Sequence, residues 1–241
     1  MNYSDGRQFW LGEVENMVTV CNEAARRRTL SQSSGRATRY DKPLSEDYVR
    51  ERLELDDPLK GFVVRDKGSG EMQGFIVCTD FTTWRTSFVW DSLLPQAGIT
   101  NSERNIHNCD DGALAKELSE CESGGDKERG GIVFKRVAEI GLLGGLGCGG
   151  KLVRTAIKNL EEGTDYDYLA LQATKMAIPF YERCGFIRVG AVAKFNDNEE
   201  MPYVSYRHWS DLVQGNAVEA SYMMAMRLGP KQREYEKVRL D

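Results

Sequence analysis

The sequence of 241 residues predicts an α/β fold, and three local patterns indicate it. Apolar residues recur at helical spacing over residues 11–27, and arginines close this stretch, which suits the negative end of a helix. Two β-prone runs, 61–65 and 73–78, flank a glycine-containing turn and predict a β-hairpin. Residues 139–153 begin as an apolar strand and pass through a glycine cluster into a helix. The chain is long enough for one large domain or two small ones.

Further helices and strands are predicted on the same grounds. Ser45 is a suitable N-cap for a second helix that runs to about Leu55, with Pro43 just upstream. Another short helix is predicted near residues 111–121. Downstream strands are expected at 132–143, 168–172, 187–195 and 221–228.

Composition limits the classes of function. The net charge of −5 gives no basic surface for nucleic acid, so a cationic partner such as an amine is easier to accommodate. The six cysteines form no C-x-x-C pair, which favours free thiols in a reducing compartment. Because no run of about 18 apolar residues occurs, we expect a cytoplasmic or nucleocytoplasmic protein with no membrane partner. The two histidines argue against a metal site. Monomer and homodimer are both open.

The glycine cluster fits a phosphate site, because glycines let backbone N–H groups approach an anion at the positive end of a helix. Residues 145–150 match the dinucleotide fingerprint G-x-G-x-x-G, which requires an acid about 20 residues on, at the end of the next strand. Gln172 stands at the end of that strand. Residues 145–151 also match G-x-x-x-x-G-K, but Leu152 replaces the Ser or Thr that would bind Mg²⁺. Neither nucleotide motif is complete.

A second motif decides between these patterns. Residues 177–186 resemble the A-x-x-F-Y-E-x-x-G-F signature of the GNAT superfamily of N-acetyltransferases. Residues 147–149 are similar to the pyrophosphate loop of that superfamily, Q/R-x-x-G-x-G/A, with Gly144 at the Gln/Arg position. The resemblance is firm over residues 133–190, and it implies a single GNAT domain over residues 1–241.

The resemblance implies a mixed, mostly antiparallel central sheet with helices on both faces. Its fourth and fifth strands, here 132–143 and 168–172, should be parallel and splayed, with acetyl-CoA bound where they part. Two insertions depart from the family, at about 84–131 and 198–220. We expect the first, which begins with aromatic residues, to be a substrate-shaping lid whose glycine-rich end, 122–131, is flexible.

The resemblance also implies which residues hold acetyl-CoA, the one cofactor expected, which serves as a co-substrate. The pantetheine arm should bond to strand backbone, and the pyrophosphate to N–H groups of the glycine turn, including that of Leu146. Side chains near the fifth strand and a lysine in the first helical turn are further candidates. The expected cofactor-binding residues are Leu142, Leu143, Gly145, Leu146, Gly147, Cys148, Gly149, Gly150, Lys151, Gln172, Thr174, Ala177 and Phe180.

Two residues are the expected catalytic groups. Tyr181 stands where the family places the general acid that protonates the departing thiolate, a role open to tyrosine because it keeps its proton at neutral pH. A core aromatic is the alternative for Tyr181. Glu139 resembles the strand glutamate that takes a proton from the amine, and a solvent-facing strand residue is its alternative. Tyr206 and His208 are other groups that could reach the site.

The implied reaction is direct transfer of acetyl to a primary amine. The Pro-Phe-Tyr form of residues 179–181 looks like the arylalkylamine N-acetyltransferase branch, which favours a small-molecule amine. Glu139 and the acidic balance favour a protein lysine or N-terminus. A non-catalytic acyl-CoA sensor is the third hypothesis, because Gly144 departs from the family pattern.

Overall fold

The structure of the chain is a computed structural model. It describes residues 2–3, 6–31, 43–55, 58–83, 87–92, 108–126, 129–174, 176–194, 204–205 and 222–229. The chain divides into two compact units. The first unit comprises Met1–Asp80 and Ile140–Lys158, and the second comprises Phe81–Glu139 and Asn159–Asp241.

The helices of the described ranges confirm most of the predicted ones. They are α1 (Arg7–Gly12), α2 (Val14–Ser31), α3 (Glu46–Leu55), α4 (Ala113–Glu120), α5 (Gly149–Gly163) and α6 (Ile178–Glu182). The predicted first helix is in fact two helices, α1 and α2. They meet at Glu13, whose N–H donates to the carbonyl of Trp10 at 3.1 Å. The Ser45 hydroxyl accepts the N–H of Tyr48 at 3.2 Å, which confirms the predicted N-cap of α3.

The strands of the described ranges are short at the chain ends and long in the centre. They are β1 (Asn2–Tyr3), β2 (Pro58–Arg65), β3 (Met72–Thr83), β4 (Ser87–Trp90), β5 (Ser123–Asp126), β6 (Gly131–Gly145), β7 (Tyr168–Ala173), β8 (Ile187–Arg188), β9 (Ala191–Lys194), β10 (Val204–Ser205) and β11 (Tyr222–Arg227). The predicted strand 187–195 is therefore two strands, β8 and β9.

In the first unit the strands lie in the order β1-β2-β3-β6, and β2 and β3 form the predicted antiparallel hairpin. Phe75 on β3 packs in one apolar core with Met17 of α2 and Leu53 of α3. A Cβ at the preceding residue, Gly74, would lie 3.0 Å from a methyl group of Leu152 in α5. Successive strand residues point to opposite faces, so helices cover both faces of this sheet, as expected.

In the second unit the order is β6-β7-β11-β8, and β5 pairs with the start of β6. The pairs β7–β11 and β11–β8 are antiparallel. β6 and β7 run parallel over three residue pairs, of which Glu139 opposite Ala170 is the last, although both strands continue beyond it. This confirms the predicted mixed, mostly antiparallel sheet with one splayed parallel pair. A separate sheet has the order β10-β9-β4.

Much of the first insertion is built into the second unit. The carboxylate of Asp110 accepts the N–H groups of Leu114 and Ala115 at 3.0 and 2.9 Å, so it caps the predicted helix, now α4. Leu114 and Leu118 are buried in the core of this unit. The carboxylate of Glu117 binds the guanidinium of Arg227 on β11 through two hydrogen bonds of 2.7 and 2.8 Å. Residues 108–126 are thus a structural element.

The flexible end predicted for this insertion is wrong. Residues 123–126 form β5, which pairs with β6 in antiparallel register. Gly125 has a φ of +126°, and a Cβ there would collide with the carbonyl oxygen of Gly131. Glycine is present because two backbones approach closely, not because the segment is loose.

The aromatic start of the same insertion also packs into the core. Phe88 and Trp90 on β4 contact Phe81 and Phe134, with ring centroids 4.8 to 6.4 Å apart. These rings pack together in the core of the second unit, where Trp90 is buried and Phe88 is partly buried. Apart from residues 204–205, the second insertion lies outside the described residues, and with it Tyr206 and His208. Among the helices described here, none is both long and apolar enough to cross a membrane.

Candidate functional site

The glycine turn between β6 and α5 has backbone N–H groups with no acceptor among the described residues. The N–H of Leu146 donates to the carbonyl of Gln73 at 2.8 Å, so this donor, which the sequence assigned to pyrophosphate, is not available. Gly147 has a φ of +92°, a conformation that favours glycine, and nothing lies within 4 Å of its Cβ position. The N–H groups of Gly147, Gly149 and Gly150 donate to no acceptor within the described ranges. They form an anion-binding geometry at a helix start.

Positive charge stands beside these donors. The carbonyl of Cys148 accepts the N–H groups of Lys151 and Leu152 at 3.0 Å each, which closes the first turn of α5. Lys151 is exposed in this turn. Arg154, also exposed, has its Nη1 atom 3.6 Å from the Cβ position of Gly150. A guanidinium here adds a full charge to the positive end of the helix dipole.

Cys148 is turned toward the protein. Its thiol donates to the carbonyl of Gln73 at 3.3 Å, and burial raises the pKa of this thiol. A Cβ at Gly74 would collide with the Cys148 sulfur. The side chain therefore packs as a small apolar group, and its neutral form is favoured. All six cysteines are free thiols.

Gly144, which departs from the family pattern, has a packing cause. A Cβ at this position would lie 2.6 Å from the ring of Phe75 and 2.9 Å from the sulfur of Cys21. Real Cβ atoms do not approach other atoms so closely, so a glutamine or arginine at residue 144 would require repacking of this core. The absence of a Gln or Arg side chain at residue 144 is therefore explained by packing in the interior of the first unit and not by the phosphate-binding surface.

The predicted pantetheine contacts lie on two strands. In the first unit, Leu142 is buried in the apolar core, and Leu143 is partly buried. In the second unit, β7 pairs with β11 along its whole length but with β6 only as far as Ala170. Gln172, partly buried, and Thr174, exposed, follow this point. Backbone groups on strand edges of this kind bind extended ligands.

The GNAT-like signature folds as a compact turn around Tyr181. Ala177 begins α6, and its carbonyl accepts the N–H groups of Phe180 and Tyr181 at 3.0 and 3.2 Å. The turn that follows α6 reaches Gly185, whose φ of +96° suits glycine. The N–H of the fully buried Phe186 then returns to the carbonyl of Tyr181 at 3.1 Å. Gly185 and Phe186 of the signature thus have structural causes.

Tyr181 itself is held between two aromatic rings. Its ring meets Phe180 and Phe186 edge to face, at centroid distances of 5.0 and 5.8 Å. The side chain is partly buried, not enclosed. This placement orients the phenol and leaves it accessible to a ligand.

Glu139, the other expected catalytic residue, is 4% exposed. This burial removes the alternative of a solvent-facing strand residue. A buried carboxylate loses hydration, and proteins retain such groups where a specific interaction or reaction uses them. Glu139 and Tyr181 both belong to the second unit.

No family model matches the chain, and no curated protein does. A structure search finds solved structures that match most of the chain at low sequence identity. GCN5 of Tetrahymena is 12% identical, with 90% of this chain and 87% of that chain covered and a TM-score of 0.40. A mutant form of spermidine N-acetyltransferase SpeG of Vibrio cholerae is 13% identical, with 94% and 95% covered and a TM-score of 0.40. NAA60 of Arabidopsis thaliana in complex with acetyl-CoA is 13% identical, with 86% and 92% covered and a TM-score of 0.34.

Likenesses with such low TM-scores support no inference about this chain. The observation that bears on the fold is the sheet, where the parallel pair β6–β7 parts after Glu139 and a glycine turn leads from β6 into α5. This is the arrangement that the sequence resemblance predicts. The GNAT signature then coincides with α6 and the turn that follows it, at the end of β7 where the sequence predicts it.

Two features of the site were missed from the sequence. Arg154 follows Gly150 by four residues, the spacing that brings two positions of a helix onto one face, so this spacing could have indicated it. The carboxylate of Glu182 accepts the N–H of Asn108 at 3.0 Å, a contact between α6 and the insertion that no local pattern could have revealed. Within the described ranges, no group of three or more His, Cys, Asp or Glu is placed to hold a metal ion.

Proposed function

We propose that this protein is an N-acetyltransferase that transfers acetyl from acetyl-CoA to a primary amine. The observation that carries the proposal is the set of open N–H groups at Gly147, Gly149 and Gly150, in a chain that also has the Tyr181 signature. A P-loop would require a hydroxyl after Lys151, and Leu152 is instead fully buried. A pyrophosphate bound without metal fits the residues that are present.

In this proposal the first unit binds the nucleotide part of acetyl-CoA. The glycine N–H groups hold the pyrophosphate, and Arg154 and Lys151 neutralise its charge. Backbone groups of Leu142 and Leu143 bond to the pantetheine amides as an added strand would. The side chain of Leu142 packs inward, so its contribution is made through the backbone.

The chemistry is assigned to two residues of the second unit. Glu139, directly or through a water molecule, takes a proton from the ammonium form of the acceptor, and the neutral amine attacks the thioester carbonyl. The tetrahedral intermediate collapses with cleavage of the carbon–sulfur bond, and Tyr181 gives its phenolic proton to the thiolate of coenzyme A. The attacking nitrogen loses its second proton as the amide forms, and this proton restores the Tyr181 phenol. No covalent cysteine intermediate is required, which agrees with the inward packing of Cys148.

A small-molecule amine is the proposed acceptor class. The Pro-Phe-Tyr form of residues 179–181 supports it, and the net charge of −5 suits a cation. The aromatic residues Phe88 and Trp90 do not contribute to this argument, because they pack in the core. A protein lysine or N-terminus is the competing acceptor, and an acyl-CoA sensor without turnover is the competing function.

Calorimetric titration with coenzyme A tests the binding step. We expect Arg154→Gln to weaken coenzyme A binding on the order of tenfold, since it removes one charge-assisted contact to phosphate. Lys158→Gln is the matched control, because Lys158 is exposed on the same helix one turn further from Gly150. A wild-type protein that binds no coenzyme A would refute the proposed function.

Release of free thiol from acetyl-CoA tests the reaction. With a panel of small amines and lysine-containing peptides, we expect Tyr181→Phe to lower kcat about a hundredfold or more while coenzyme A still binds. Unchanged turnover in this variant would remove Tyr181 as the acid. Binding of coenzyme A with no turnover on any amine would support the sensor.

A further inference from the structure

The helix that carries Tyr181 is too short to hold its own position. α6 has five residues, Ile178–Glu182, and an isolated helix of this length is not stable in water. Its first residue, Ile178, is 1% exposed and fixes one end of the helix in the interior. Phe186, in the turn after the helix, is also buried. The orientation of Tyr181 therefore depends on the contacts that α6 makes with other parts of the second unit.

Glu182, the residue after Tyr181, makes one of these contacts. Its Oε1 atom accepts the backbone N–H of Asn108 at 3.0 Å, although the two residues are 74 positions apart in the sequence. We call this hydrogen bond the α6 tether. Asn108 is exposed and Glu182 is partly buried, so the bond lies near the surface. Surface contacts of this kind contribute little to the free energy of unfolding, so the effect of the tether is on the position of α6.

The other end of the tether is fixed to the core of the second unit. Residues 108–110 run parallel to β8, where the carbonyl of Asn108 accepts the N–H of Arg188 at 2.9 Å. The carbonyl of Arg188 in turn accepts the N–H of Asp110 at 2.9 Å. Arg188 is fully buried, with its guanidinium 4.2 Å from the centroid of the Tyr222 ring, and the Asp110 carboxylate caps α4. Asn108 is thus held from both sides of the bridge and is a firm anchor for α6.

We propose that Glu182 is a positioning residue, which holds Tyr181 in place for acetyl transfer through its tether to the first insertion. This inference rests on the proposed function, in which Tyr181 gives its proton to the departing thiolate. Proton transfer requires a donor and an acceptor within hydrogen-bond reach, so a small shift of α6 slows this step. Adjacent residues of a helix point about 100° apart around its axis. Glu182 can therefore hold the insertion while the Tyr181 phenol is presented to a ligand.

The tether gives the first insertion a part in the reaction that its composition does not reveal. The aromatic residues and α4 of this insertion pack in the core, and residue 108 contacts the helix that carries the proposed acid. The contact is made by a backbone N–H, so it requires no particular side chain at residue 108. On this proposal the insertion supports the catalytic helix and does not close over the substrate.

Removal of the Glu182 carboxylate tests the tether. We expect Glu182→Ala to lower kcat about five- to thirtyfold in the thiol-release assay, less than Tyr181→Phe, because the acid is displaced but not lost. Coenzyme A binding and the melting temperature should change little. Glu182→Gln retains an oxygen that can accept the N–H of Asn108, so it should restore most of the rate. A wild-type kcat in Glu182→Ala, or equal losses in the Ala and Gln variants, would overturn the proposal.

Two variants of Asn108 test the same bond from its other end. Asn108→Pro removes the backbone N–H and should lower kcat as Glu182→Ala does. Asn108→Ala is the matched control, because it retains the N–H and shortens only an exposed side chain. Combining Glu182→Ala with Asn108→Pro should lower kcat no further than the more affected single variant, since both remove one bond. Multiplicative losses in the double variant would refute the tether.

A second combination tests whether Glu182 acts through Tyr181. If it does, adding Glu182→Ala to Tyr181→Phe should lower kcat by less than about twofold more, because the group that it positions is already gone. A merely structural contribution of Glu182 would instead add its full loss to that of Tyr181→Phe. That outcome would reject the positioning role.

Hydrogen exchange keeps this test distinct from that of the proposed function. The N–H groups of Phe180 and Tyr181 donate to the carbonyl of Ala177 at 3.0 and 3.2 Å, so their exchange rates report opening of α6 without any turnover. We expect both to exchange several-fold faster in Glu182→Ala and at the wild-type rate in Asn108→Ala. This exchange pattern in a protein without turnover on any amine would retain the tether and reject the acetyltransferase. Turnover in the wild type, with kcat and exchange both unchanged in Glu182→Ala, would retain the acetyltransferase and reject the positioning role.

Discussion

Asp110→Ala tests whether the first insertion is a structural element. The Asp110 side chain is 4% exposed and accepts two backbone N–H groups, at 3.0 and 2.9 Å, at the start of α4. Loss of an N-cap costs about 0.5–2 kcal/mol, and a buried donor left without a partner costs about 1–3 kcal/mol. These effects overlap, so we expect a destabilisation of about 2–4 kcal/mol.

The neighbouring Asp111 provides a matched control. Its exposed carboxylate accepts one N–H, that of Ala113, at 3.2 Å, so Asp111→Ala should cost about 0.5 kcal/mol or less. Urea unfolding followed by circular dichroism measures both variants against the wild type. Asp110→Asn keeps one of the two acceptor oxygens and should recover only part of the loss. Equal unfolding free energies for the two alanine variants would refute the capping role and would leave the insertion free to move as a lid.

Three further variants probe the rest of the fold. Gly144→Ala should destabilise the protein by about 1–3 kcal/mol, because its Cβ would lie 2.6 Å from Phe75, and an unchanged urea midpoint would contradict this packing. Arg227→Met removes two hydrogen bonds to the half-buried Glu117, which keeps the one from the Tyr168 hydroxyl, and should cost about 1–3 kcal/mol by urea unfolding. Burial, and after it the charge of Glu117, raises the pKa of Tyr168. In the unfolded chain a tyrosine loses its proton at about pH 10, so the free energy of unfolding is unaffected below this pH and falls as the pH rises above it. Urea midpoints from pH 8 to 11 should fall less in Tyr168→Phe, and parallel curves would refute the shift.

Local patterns were sufficient for most of the fold. The Ser45 cap, the hairpin of β2 and β3 and the helix at 113–120 each depend on residues that are close together in sequence. Periodicity and caps report such contacts directly. The predicted helix over 11–27 was less accurate, because a single helical period runs through α1 and α2 and does not show the turn at Glu13.

The part that could not be predicted depends on distant contacts. The glycine-rich segment 123–126 has the composition of a linker, yet its partner strand at 131–134 turns it into β5. Phe88 and Trp90 have the composition of a pocket wall, yet Phe81 and Phe134 complete a core around them. In both cases the composition was interpreted correctly for an isolated segment, and a tertiary partner changed its role.

In the candidate site, too, local features were predicted from the sequence and those that depend on distant contacts were not. The signature around Tyr181 was recognisable because Ala177, Gly185 and Phe186 each meet a local demand of one short helix and its terminal turn. The free donors of the glycine turn were predicted less completely. Leu146 has the same position in the pattern as its neighbours, but a carbonyl on another strand, that of Gln73, occupies its N–H.

Glycines of β6 and its turn show why the sequence alone could not locate the ligand surface. Gly144 is fixed by the ring of Phe75, Gly147 by a φ of +92°, and Gly141 by neither. The sequence does not distinguish these three glycines. They differ in the atoms that surround the position a Cβ would occupy. Where neighbours or backbone conformation exclude a side chain, glycine reports on folding. Where a side chain would fit in ordinary van der Waals contact, as at Gly141, neither packing nor backbone conformation requires glycine.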